Sequence, residues 1–325
     1  MAFCRKTGTL VSDPIHPEKI PGLMTPLDRD EQHIYRQIQE HIAASARYAP
    51  VIVEQVGTVD VLFHPDHPDP HLNCARPHDG IAWVQPRDLA VAFRALERLG
   101  RVPRLVFEDA LVPPGFRQQV EAAGLIADDE RALMVYRPVL GPDPPGETPR
   151  GRLPAAIDPP VTASVARTPA DLSTWLCVAR AGYDPRDAPV VDLEEIEPLI
   201  AATRDGHAAY ILASYTDTPL GAARVALRPP TAQLEMVTTA PLWHGMGLEA
   251  ALVTAAVRAA LEQGCDIVFT IAPSAEQTRL CYRLGFVPLT LILSYCPPAE
   301  FAGRETRPEG EHDEPDLVEP LFTDA

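Results

Sequence analysis

VTTAPLWHGMGLEAALV, residues 237–253, passes from a β-branched run through a Gly-x-Gly turn straight into an alanine-rich helix. Gly245 and Gly247 let the backbone turn sharply, or let another molecule approach it closely. The helix begins at the same point, so its unpaired N–H groups and the positive end of its dipole meet whatever lies there. Such a junction suits a phosphate. Gly-x-Gly alone is a weak signal, and the surrounding sequence has to decide.

Working outward, residues 161–168 read as a strand, and PADLSTWLCVARAGY starts a helix with Pro169 and Asp171 in its first turn. A second helix is expected from Leu193 to Arg204, with Gly206 near its end. Strands over 207–215, 219–228 and 232–239 lead into the turn. Beyond it come a helix over 248–264, a strand over 265–272, a helix over 274–285 and a strand over 286–295. The order predicts a mixed, largely antiparallel α/β sheet flanked by helices, with one β-α-β crossover.

The first half carries a fainter version of the same ending. Leu105-Val106-Phe107 sits on Ile267-Val268-Phe269, and Gly124-Leu125 on Gly285-Phe286, with a one-residue offset. This suggests two tandem halves. Residues 49–65 supply further strands, QPRDLAVAFRALERLG a helix, and 29–49 an amphipathic helix packed on that half. The expected organisation is a flexible N-terminus over 1–28, a degenerate half over 29–137, a proline-rich linker over 138–160, a second half over 161–296 and an acidic tail over 297–325.

The chain has 325 residues, 46% of them apolar, and a formal charge of −17. That charge argues against nucleic acid or an anionic membrane as partner. No apolar run approaches a membrane span, and no secretory signal opens the chain, so a soluble, cytoplasmic protein is expected. Cys4, Cys74, Cys177, Cys265, Cys281 and Cys296 include no Cys-x-x-Cys pair and read as reduced, mostly buried residues.

With these elements in place, residues 161–296 resemble the GNAT superfamily of acyl-CoA-dependent N-acyltransferases. The resemblance rests on the turn, Thr239-Ala240-Pro241 through His244-Gly245-Met246-Gly247 to Ala251-Leu252, and on Tyr282-Arg283-Leu284-Gly285-Phe286 downstream. It departs from the family pattern at His244, where Arg or Gln is usual, and at Glu249, where Gly or Ala is usual. A carboxylate beside a pyrophosphate costs about 1–4 kcal/mol at ~4 Å unless it turns away.

The resemblance implies transfer of an acyl group, most often acetyl, from acetyl-CoA to an amine acceptor that the sequence does not name. It implies cofactor contacts at Val237, Thr239, His244, Gly245, Met246, Gly247, Leu248, Glu249 and Ala250, chiefly through the backbone. Tyr282 is the candidate acid for the departing sulfur, and Glu235 the candidate base. Glu235 lies on the strand leading to the turn and shares the side-chain parity of Val237 and Thr239. It reads equally as an exposed carboxylate or the partner of an arginine.

Other residues take plainer readings. Glu194 and Glu197 fit a solvated helix face, and Cys281 fits core packing. His64, His67 and His71 with Asp66 and Asp69 fit an exposed proline-rich connection better than a metal site. The first half has no Gly-x-Gly turn before its helices, and Glu121 aligns with Tyr282. An inactive CoA-binding or interaction module with the same fold is the alternative to an enzyme. The oligomeric state is left open.

Overall fold

The computed structural model describes residues 27–46, 51–65, 70, 72–78, 83–137, 153, 160–183 and 191–298. The expected N-terminus, linker and acidic tail lie almost wholly outside them, as do His67, His71, Asp66 and Asp69. In chain order the elements begin with α1 (Arg29–Ala46), β1 (Ile52–Val56), β2 (Val59–Phe63), β3 (Cys74–Pro77), α2 (Pro86–Arg98), β4 (Leu105–Glu108), α3 (Phe116–Ala122) and β5 (Ile126–Tyr136). They continue with β6 (Val161–Val165), α4 (Pro169–Tyr183), α5 (Leu193–Arg204), β7 (Ala208–Tyr215), β8 (Thr218–Arg228) and β9 (Thr231–Thr239). The last are α6 (Leu248–Glu262), β10 (Ile267–Ala272), α7 (Ala275–Arg283) and β11 (Phe286–Cys296). No helix among the described residues is long and apolar enough to cross a membrane.

The chain packs as two compact units whose borders do not follow chain order. The larger holds the described residues of 27–41 and 131–289, and the smaller those of 42–130 and 290–298. In the larger unit β6, β7, β8 and β9 pair antiparallel in sequence order. β10 then joins β9 in parallel, and the inner residues of β5 pair antiparallel with β10. The parallel pair needs a crossover, which α6 supplies.

α6 lies close on the sheet because its inner face is small. Ala251, Ala256 and Ala260 are buried there beside Leu248, Leu252 and Val257. Gly221 of β8 makes the approach possible: a Cβ there would stand 3.0 Å from Leu252 and 3.2 Å from Thr239. On the other face α4 and α5 cover Ala208, Tyr210 and Ala222 with Leu172, Trp175, Ala179 and Ile196. Trp175 fixes α4 by donating its indole N–H to Ala223 O at 2.9 Å. The start of α4 is capped reciprocally, Asp171 N to Thr168 Oγ1 at 3.1 Å and Thr168 N to Asp171 Oδ2 at 3.0 Å.

One expectation is corrected here. α1, expected to pack on the first half, has its residues 27–41 in the larger unit. His41 bonds Thr231 Oγ1 at 2.8 Å and meets the Phe269 ring edge-on at 5.2 Å. Amphipathicity reports that a helix has a buried face, but not which sheet covers it.

The smaller unit repeats the crossover. β1, β2 and β3 run antiparallel, β3 pairs in parallel with β4, and α2 connects them. β4 pairs antiparallel with the end of β11, from Ile292↔Glu108 to Tyr295↔Leu105. Its core holds Phe107 against Phe116 at 4.9 Å and stacked on Tyr295 at 5.7 Å. Glu121 accepts the Tyr295 hydroxyl at 3.2 Å.

Candidate active site

β9 is paired on both sides only along its first half. Its parallel register with β10 runs from Thr231↔Ile267 to Leu234↔Thr270 and stops there. Its register with β8 continues to Thr239↔Gly221 but slips between Met236↔Arg224 and Leu234↔Val225. Glu235 is the residue left over, a β-bulge. Beyond it, Met236 to Thr239 have no strand partner on the β10 side among the described residues.

A cavity of about 620 Å³ occupies that place, walled by Val237–Thr239, the turn around Gly245 and Gly247, the start of α6 and one face of α7. Gly245 and Gly247 have left-handed φ of 79° and 86°. A Cβ on either would meet nothing within 4 Å. Glycine stands here for its conformation, not for want of space. The N–H groups of Gly247, Leu248, Glu249 and Ala250 find no acceptor among the described residues. The first helical bond is Ala251 N to Gly247 O at 3.0 Å.

Val237, Thr239, His244, Gly245, Gly247, Glu249 and Ala250 all line the cavity. Met246 and Leu248 do not. Met246 spends its N–H on Trp243 O at 3.3 Å, and the Leu248 side chain is fully buried in the core. Glu249 accepts a hydrogen bond from Thr239 Oγ1 at 2.7 Å, which holds its carboxylate to the end of β9. His244 Nε2 lies 3.4 Å from Thr239 O on the exposed rim. The wall also carries Thr238, Ser274, Glu276, Gln277, Leu280 and Arg283, which sequence reasoning did not single out. Among them, Glu276, Gln277, Leu280 and Arg283 are spaced along α7 as one helix face, which marks them once that face is known to meet the turn.

Glu235 is not part of this wall, and neither is Tyr282, which is half-buried, although Leu280, Arg283 and Leu284 are. At about 100° per residue, Tyr282 falls about 200° around α7 from Leu280. A Tyr before Gly-Phe gives a position along the helix but not a direction. Cys281 is fully buried, and burial pushes its thiol up to about 12, as core packing requires.

Glu235 departs from the parity of an unbroken strand. The bulge turns its carboxylate to Arg224, with Glu235 Oε2 3.0 Å from Arg224 Nη1. Arg224 stands in register with Tyr210 on one side and Met236 on the other, on the face that α4 and α5 cover. The Glu235 side chain is 25% exposed, while the residue as a whole is exposed, so its exposure lies mainly in the main chain. Burial raises the pKa of its carboxyl, and Arg224 opposes that rise. Glu194 and Glu197 are exposed on α5. Of the histidine run, His64 donates its backbone N–H to Asn73 Oδ1 at 3.1 Å.

Residues 173–286 match the family described as the acetyltransferase (GNAT) family. Among solved structures, the chain is similar to a GCN5-related N-acetyltransferase from Kribbella flavida, with TM-score 0.57, 17% identity and coverage of 84% of this chain and 96% of that one. It is also similar to a GCN5-related N-acetyltransferase from Sphaerobacter thermophilus, with TM-score 0.52, 14% identity and coverage of 79% and 84%. No curated protein sequence matches the chain. The strand order, the turn into α6 and the family match agree: residues 173–286 form a GNAT-family domain.

Proposed function

We propose that this chain is an acyl-CoA-dependent N-acyltransferase, moving an acetyl or other short acyl group to an amine of a small molecule or protein. One observation carries the reading: at a single cavity, the unpaired edge of β9 meets a helix start whose N–H groups have no acceptor. Those N–H groups, Gly247 to Ala250, and the helix dipole favour a pyrophosphate. The edge from Met236 to Thr239 offers peptide groups to the amides of an extended ligand, as a neighbouring strand would. Arg283 adds a cation to the wall and offsets Glu249 and Glu276.

Acyl-CoA, once bound, would supply an activated carbonyl: the amine forms the C–N bond as the C–S bond breaks, and CoA leaves as its thiolate, which takes a proton from water. Glu235, four residues or about 13 Å of strand from Thr239, takes the proton that the amine gives up. A backbone N–H between Val237 and Thr239 polarises the carbonyl. Tyr282 has no part in this reading. We assign the acyl-CoA contacts to residues 161–296 and a non-catalytic role to 29–137.

The test is a thermal melt with and without acetyl-CoA, followed by thiol release over a panel of amines. At 100 times the dissociation constant, ligand linkage adds about 2.7 kcal/mol. Absence of any shift removes the reading. A shift with no thiol release from any amine favours the inactive CoA-binding module, which the carboxylates of Glu249 and Glu276 on the wall argue for.

A further inference from the structure

Glu235 sits where two regular pairings end together. β10 leaves β9 after Leu234, and β8 skips Glu235 altogether. A bulged residue has no cross-strand neighbour to orient it, so its side chain needs another tether. Arg224 supplies one: its Nη1 lies 3.0 Å from Glu235 Oε2. Beside Arg224, Tyr210 of β7 stands in register with it and is buried edge-on against Trp175 at 4.7 Å. Trp175 is itself tied to Ala223 O. The result is a line of support from the α4 core through Tyr210 and Arg224 to the carboxylate.

On the proposed acyl-transfer reading, we infer that Arg224 is a positioning residue, which aims the Glu235 carboxylate at the bulge and keeps it ionised for the acceptor amine. A guanidinium suits the task because its charge is permanent and its planar fork matches a carboxylate. A half-exposed cross-strand ion pair has a plainer reading, a surface bridge of little consequence. The surroundings separate the two. Of the charges on the elements packed here, Arg224 of β8 acts on Glu235, and Tyr210 of β7 is the other titratable group in the line. On α4, Asp171 caps the helix start and Arg180 is bound to Glu195 of α5, while β10 carries no titratable side chain. Removing Arg224 therefore leaves a largely covered carboxylate with nothing to hold its charge.

The experiment follows the Glu235 carboxyl carbon by NMR in the ¹³C-glutamate-labelled full chain, with Glu235→Gln identifying the resonance. In Arg224→Met, which keeps the apolar stem, its titration midpoint should rise by about one pH unit or more. The acid limb of kcat/KM should rise with it, and Arg224→Lys should restore both in part. A resonance that titrates at the parental pH in Arg224→Met overturns the inference and leaves acyl transfer untouched. A resonance that moves while the acid limb stays fixed shows that Glu235 is not the base, and Arg224's role in catalysis falls with it. Should Arg224→Met fail to fold, Arg224→Gln, which keeps a polar end without the charge, is read the same way: the midpoint should rise, and no movement overturns the inference.

Discussion

Gly247 combines a φ of 86° with open space above its Cα, and these two facts separate its substitutions. Gly247→Ala adds no clash but forces a side-chain-bearing residue into left-handed backbone, at about 1–2 kcal/mol. Urea melts should show that loss in an otherwise native fold. Gly247→Asp adds a negative charge beside the free N–H groups, and the acetyl-CoA shift in melting temperature should disappear. Tyr282 makes the opposite case. Because it lies off the cavity wall, Tyr282→Phe should turn over within about twofold of the parent. A loss of about 10²–10⁴ in kcat, the range for general acid catalysis, would return the acid role to it.

The α1 helix carries a charge-free anchor. The Thr231 hydroxyl donates to Arg228 O at 3.0 Å, so His41 Nδ1 must donate to Thr231, and His41 Nε2 is buried with no partner among the described residues. Burial, aided by Arg228, lowers the His41 pKa to about 4. The unfolded chain takes up this proton near the ordinary value of about 6.5, so between those values it binds more protons than the fold does. The stability linked to His41 is therefore whole above about 6.5 and falls as the pH drops, by about 3 kcal/mol at pH 4. Urea melts at pH 7.5 and 4 should show a smaller acid loss, by that amount, in His41→Phe than in the parent.

Elements with a long, clean period were legible in the sequence. α5 runs from Leu193 to Arg204 as its apolar spacing implies, and the crossover through α6 follows from the strand order around it. The four-residue β3 was not, since Cys74-Ala-Arg-Pro77 is too short to show alternation. The bulge at Glu235 escaped because counting parity assumes an unbroken ladder. The cavity turn was legible because positive φ demands glycine. The α7 side of the wall was not, because a motif fixes distance along a helix and tertiary packing fixes rotation about it.

Across the molecule, the two crossovers differ at the helix start. α6 opens with unpartnered N–H groups, whereas α2 opens with Pro86, which has none, after Gln85, whose N–H bonds Thr58 Oγ1 at 2.9 Å. Asp88 accepts both the N–H and the hydroxyl of Thr58 at 2.9 Å, and these bonds hold its carboxyl below the usual range. The start of α2 thus already carries a carboxylate, tied to Thr58. Hydrogen exchange with acetyl-CoA should accordingly slow amides in 237–250 and leave the start of α2 unchanged, and protection at 84–89 would defeat the division of labour.

The pairing of β5 with β10 has a consequence in time. Val135 is joined to Phe269, so the ribosome must add about 130 residues before the first finds its partner, an interval of roughly 7–27 s at about 5–20 residues per second. Throughout that wait Ala132-Leu-Met-Val-Tyr136 is an apolar segment of high β-propensity with nothing to pair it, the type that recruits other nascent chains. Asp128, Asp129, Glu130 and Arg131 come immediately before it in the same strand. Charges in that place act as gatekeepers against premature association. The acidic run in β5 thus guards the chain during synthesis, before there is any fold for it to stabilise.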